Sequence, residues 1–91
     1  MSNHSCQYPI LVVDDDAEVL ESFELVLHSG GLSDVVPCLD SRNVLPLLTE
    51  KGGAEVILLD LIMPYLKGQD LLSLLSESYP EVPVIVITAT D

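Results

Sequence analysis

A chain of 91 residues predicts one small domain, burying roughly 60% of its unfolded surface. Its hydrophobic share of 48%, almost all Leu, Val and Ile with 4% aromatic, excludes a disordered tail and points to an aliphatic core on regular elements. Three Lys or Arg against fifteen Asp or Glu give a formal net charge of -12, which argues against nucleic acid as a partner because its phosphates would repel such a surface.

The opening Met1 to Gln7 is polar, without the basic and apolar parts of a signal peptide, and no apolar run approaches the roughly 20 residues of a membrane span. The expected location is the cytoplasm, with no membrane partner. Residues 1–8 read as a flexible tail and residues 9–91 as the folded domain. Cys6 and Cys38 are expected as two reduced thiols, with one disulfide between them as the alternative; neither has metal-site spacing.

The first apolar run, Ile10 to Val13, is unbroken and β-branched, as are Val56 to Leu59 and Val84 to Ile87. Runs of this kind fit strands buried on both faces, hence a parallel sheet covered by helices, and their alternation with helical stretches makes the class α/β. The first helix is expected to start after Asp16, a good N-cap, with Glu18 in the dipole-favoured first turn, and to stop at Gly30-Gly31. On a 3.6-residue wheel Val19, Leu20, Phe23, Val26 and Leu27 share a face opposite Glu18 and Glu21, with Leu25 stranded among the acids. Val35 to Cys38 is a weaker strand holding Pro37, which cannot donate to a ladder and so belongs at the sheet edge. Pro46 makes the next helix, within Ser41 to Glu50, short, kinked or late-starting. A loop through Pro64, Tyr65 and Gly68 then leads to a helix carrying Leu71, Leu72, Leu74 and Leu75, closed by Tyr79-Pro80. With the last strand, Val84 to Thr88, the count is four strands and three helices, (βα)3β.

In an open parallel α/β sheet, ligands bind beyond the carboxyl ends of the strands. Strand one ends in Asp14-Asp15-Asp16, strand three in Asp60 and strand four in Thr88, so carboxylates and a hydroxyl from separate strands would converge. Clustered carboxylates repel one another unless a cation joins them, and oxygen ligands imply Mg²⁺ or Mn²⁺. Magnesium commonly takes one or two carboxylates and completes its octahedron with water and phosphate, which fits Asp15 and Asp60 plus a backbone carbonyl and implies a phosphoryl substrate. Asp60 is the nucleophile candidate, because it directly follows a wholly apolar strand and stands apart from the other acids; Thr88 could hydrogen-bond a phosphoryl oxygen.

Each residue alone has a plainer role. Asp14 to Asp16 could be a helix cap with a surface charge run, Asp60 a turn residue, and Thr88 a β-former. Their joint placement favours the site. Asp14 and Asp16 also fit the Asp-x-Asp of haloacid-dehalogenase-like phosphatases, with Asp14 as nucleophile, although Glu18 stands where that family wants Thr or Val. A calcium loop fails because Val19 occupies the position that needs Gly.

The segments ILVVDDDAEVL, VILLDLIMPYLKGQDLL and VPVIVITAT resemble the first, third and fourth strand regions of response-regulator receiver domains, in the same order and at similar spacing. The resemblance implies a flavodoxin-like parallel sheet of order 2-1-3-4, helices on both faces, and a role as phosphoacceptor in two-component signalling rather than as an enzyme. It assigns the metal-side acids to Asp14 and Asp15, the phosphoacceptor to Asp60, a metal-ligating carbonyl to Ile62, the loop motif to Met63-Pro64 and the switch hydroxyl to Thr88. Its implied cofactor is Mg²⁺ and its implied partner a sensor histidine kinase, docking near the first helix. It also implies a chain that stops after the fourth strand, without the family's fifth strand and its lysine, for which Lys67 is no positional substitute. A bare edge at Val84 to Ile87 then predicts self-association, and the alternative function is a non-phosphorylated interaction or dimerisation module.

Overall fold

The computed structural model describes residues 8–60 and 68–87. Four strands, β1 (Ile10–Val13), β2 (Val35–Cys38), β3 (Val56–Asp60) and β4 (Val84–Ile87), alternate with the helices α1 (Ala17–Ser29), α2 (Val44–Lys51) and α3 (Gly68–Ser78). All strand pairs are parallel and the order is β2-β1-β3-β4, so Pro37 lies on an edge strand as its missing N–H requires.

Local chemistry sets the element ends. Asp16 adopts an extended conformation at the N-cap of α1 (φ -109°, ψ 114°), and its side chain accepts from the Glu18 amide. At the other end, Leu32 N–H donates to the Leu27 carbonyl and Gly31 N–H to the His28 carbonyl, the paired bonds of a Schellman motif. The residue that takes positive φ there is Gly31, at 93°, rather than Gly30. Pro46 is accommodated because α2 starts late: a 3-10 turn over Ser41–Asn43 precedes it, and Pro46 falls in the first helical turn, where an N–H has no helical partner to lose.

Because side chains alternate along a strand, the sheet feeds two cores. Leu11, Val13, Ile57 and Leu59 point to one face and pack with Val44, Leu48, Leu71 and Leu75 of α2 and α3. Ile10 and Val12 point to the other face and pack with Leu20 of α1, flanked by Phe23, Leu27, Val56 and Leu58.

Two expectations from periodicity need correction. Val26, placed on the buried face of α1, is 67% exposed; the adjacent Leu25, at 71%, is exposed as its place among acids suggested. Among the described residues α1 meets the sheet mainly through the narrower stripe of Leu20, Phe23 and Leu27. The second correction concerns β4, whose apolar run reads as buried on both faces. Ile85 and Val86 are 53% and 40% exposed. They point to opposite faces, and β4 is paired only with β3 among the described residues, so its apolar character does not translate into burial.

Candidate functional site

The sheet register builds the site. Val13 pairs with Leu59, so the next residue on each strand, Asp14 and Asp60, stands level at the carboxyl end of the sheet. Asp60 closes β3 opposite Ile87 of β4. The Asp14 amide donates to the Cys38 carbonyl at 3.1 Å, which carries the β1–β2 ladder one residue past the strand and holds the start of the acidic loop. One carboxylate oxygen from each of Asp14, Asp15 and Asp60 lies within 4.8 Å of the other two. The acids at positions 14, 15 and 60, separated by up to 46 residues of chain, thus come together as expected.

Their environments differ. Asp14 is only 9% exposed, Asp15 is exposed and Asp60 is half-buried. Burial pushes the Asp14 carboxyl above the usual carboxylate range; the Asp16 amide, bonded to Asp14 Oδ1 at 3.0 Å, opposes this, while the negative charges of Asp60 and Asp15 add to it. A carboxylate held partly out of water beside two others is a group whose charge a divalent cation would relieve, and all-oxygen donors suit a hard ion. The donor set therefore fits Mg²⁺ or Mn²⁺, with Asp14, Asp15 and Asp60 as the side chains positioned to hold it.

Ile62, Met63, Pro64, Lys67 and Thr88, and with them the carbonyl, the loop motif and the switch hydroxyl of the sequence reading, lie outside the described residues, as does Cys6. Cys38 is a buried free thiol. Burial pushes its ionisation upward and its Sγ donates to the Asp40 carbonyl at 3.0 Å, so it behaves as a small core side chain rather than a nucleophile. Asp40 caps the 3-10 turn and forms a forked ion pair with Arg42, 2.7 Å at its closest; these hydrogen bonds hold the Asp40 carboxyl below the usual range. No described helix is long and apolar enough to cross a membrane.

The sequence reading missed the role of the Asp16 backbone. Its amide is the one described donor to an Asp14 side-chain oxygen, and its own carboxylate is engaged with Glu18. The available signal was the spacing: Asp at 14 and at 16, each two residues before an amide it can accept, is the pattern of successive Asx turns.

Comparison with known proteins identifies the lineage of this arrangement. Residues 10–91 match the family model described as the response regulator receiver domain. The chain is 37% identical over 82 residues to the response regulator MprA of Mycolicibacterium vanbaalenii, covering 90% of this chain and 35% of that protein. It is 38% identical over 80 residues to the transcriptional regulatory protein PrrA of Mycobacterium bovis, covering 88% of this chain and 34% of that protein. Among solved structures, a response regulator receiver protein from Pseudomonas putida superposes with a TM-score of 0.84 at 28% identity, over 97% of this chain and 74% of that one. The chain spans about a third of the length of the curated relatives it matches.

Proposed function

The chain belongs to the response regulator receiver domain family, and from that membership and its three facing carboxylates we propose that it accepts a phosphoryl group on Asp60 from the phosphohistidine of a sensor histidine kinase. The observation that carries the proposal is the convergence of Asp14, Asp15 and Asp60, with one oxygen from each inside 4.8 Å, at the carboxyl end of a parallel sheet. Membership in this family favours the receiver reading over the phosphatase reading, which needs Asp14 as nucleophile.

In the proposed transfer an Asp60 oxygen attacks phosphorus; the new O–P bond forms as the N–P bond of the donor breaks, and its electron pair returns to the imidazole. Bound Mg²⁺ or Mn²⁺ would supply charge neutralisation on the phosphoryl oxygens. Asp14, Asp15 and Asp60 would hold it, joined by the Ile62 carbonyl, and the Thr88 hydroxyl would donate to a phosphoryl oxygen. β3 supplies the rigidity that the nucleophile needs, since Leu59, immediately before Asp60, is fully buried. This is signalling chemistry at one carboxylate rather than turnover of a free substrate.

The test is incubation with a small acyl phosphate and Mg²⁺, followed by intact-mass measurement. One phosphoryl adduct is expected on the wild-type chain and none on Asp60→Asn. An adduct of equal yield on Asp60→Asn overturns the assignment.

A second reading, an interaction module formed by self-association of the 91-residue chain, is favoured by the exposure of Ile85 and Val86 on β4 and of Leu25 and Val26 on α1.

A further inference from the structure

Asp16 stands outside the trio of facing carboxylates, and its side chain is engaged elsewhere, yet two hydrogen bonds run through it toward the site. Its Oδ1 accepts from the Glu18 amide at 2.9 Å, the N-cap bond of α1. Its backbone amide donates to Asp14 Oδ1 at 3.0 Å. The two bonds share one peptide segment. Capping fixes Asp16 in its extended conformation, and that conformation aims the Asp16 amide back at Asp14. Asp14 is thereby held from two sides, by the Asp16 amide on its side chain and by the Cys38 carbonyl on its backbone amide.

We infer that Asp16 is a positioning residue for the acidic site: its cap on α1 holds its own amide against Asp14 Oδ1 and so sets the carboxylate that faces Asp15 and Asp60. The inference rests on the reading of Asp14, Asp15 and Asp60 as a divalent-cation site. The bond to Asp14 Oδ1 restricts the side-chain rotation that would otherwise have to be frozen when the cation binds. An N-cap acting on the helix alone would change stability and leave the site untouched.

The experiment compares wild type with Asp16→Ala, Asp16→Gly, Asp16→Asn and Asp15→Asn in the full chain. Mg²⁺ affinity is read from amide NMR shifts, and hydrogen exchange of the residue-16 amide is read without metal. Asn caps as well as Asp, whereas Ala does not; Gly starts a helix at little cost but offers no side-chain acceptor. Asp16→Ala and Asp16→Gly are expected to weaken Mg²⁺ binding on the order of tenfold and to lose protection of that amide. Asp16→Asn is expected to stay within about twofold of wild type, because its cap is retained.

Unchanged affinity and unchanged protection in Asp16→Ala and Asp16→Gly would overturn the inference in favour of a purely helical role. Equal weakening in Asp16→Asn and Asp16→Ala would also overturn it, in favour of the charge itself. Should wild type and Asp15→Asn bind Mg²⁺ alike, the cation-site reading fails and the positioning role falls with it; the metal-free exchange data would still report whether the cap holds the amide.

Discussion

The two faces of the sheet are built from the same kind of strand and are covered very differently. Among the described residues, ten buried ones form one cluster toward α2 and α3, Leu48, Ile57, Leu59 and Leu71 among them; toward α1 the buried cluster is Ile10, Val12 and Leu20. Strand composition does not account for the contrast, since Val and Ile occupy both faces. What differs is the helix laid on each. α2 and α3 together press Val44, Leu48, Leu71 and Leu75 into the sheet, whereas α1 contributes one buried side chain, Leu20, and turns Leu25 and Val26 outward. Apolar sequence supplies the potential for burial; the partner surface decides how much of it is realised.

This contrast can be broken first by emptying each core in turn. Leu48→Ala on the α2 face is expected to cost about 4 kcal/mol, near the top of the range for a fully buried leucine, because a densely walled cavity cannot collapse. Leu20→Ala on the α1 face is expected to cost about 2.5 kcal/mol, since its thinner surroundings can close in. Urea unfolding of both variants measures the difference, and equal losses would mean that the α1 face is as tightly packed as the other.

A smaller effect probes the end of the sheet where the two faces meet. Burial and the neighbouring acids raise the Asp14 carboxyl above its unfolded value, so the folded state holds that proton more tightly than the unfolded chain does. At pH above the folded value both states are ionised and the fold bears the full cost. As pH falls through the folded value toward the unfolded one, stability is regained. Asp14→Asn is therefore expected to raise the thermal midpoint at neutral pH without divalent cations and to flatten the acid side of the pH–stability profile. The same variant should lose most of the stabilisation that saturating Mg²⁺ confers on wild type, about 2.7 kcal/mol at a hundred times the dissociation constant. A lowered midpoint in metal-free Asp14→Asn would contradict the assigned electrostatics.

The smallest effect on the fold should come from the exposed apolar side chains. Val26→Ser and Ile85→Lys are each expected to change stability by no more than about 0.5 kcal/mol. Their consequence lies in association: sedimentation velocity at tens of micromolar should find wild type self-associated and Ile85→Lys shifted toward monomer, as a charge on β4, which among the described residues pairs only with β3, opposes further pairing. A wild-type monomer at that concentration removes the interaction-module reading.

Much of this molecule is determined by the sequence alone. The unbroken aliphatic runs, rich in Val and Ile, set the strands, because such side chains fit the pleated surface of a parallel sheet covered on both faces. Asp16 and the Gly30-Gly31 pair set the ends of α1, because capping is a matter of a few local hydrogen bonds. Pro37 sets the edge strand and Pro46 the late start of α2, because a missing N–H acts wherever the residue goes. The convergence of Asp14, Asp15 and Asp60 is likewise legible, since a parallel sheet carries the ends of neighbouring strands to one side.

Tertiary structure alone decided the rest. Val26 is open while Leu20, six residues earlier, is shut, because only packing selects which part of an apolar stripe meets the sheet. Ile85 and Val86 are exposed in a run as apolar as β1, because burial depends on neighbours that a strand does not carry in its own residues. Asp14 is enclosed while Asp15 is not, and the Asp16 amide completes the hold on Asp14, because these distinctions depend on where β2 and the first turn of α1 lie in space.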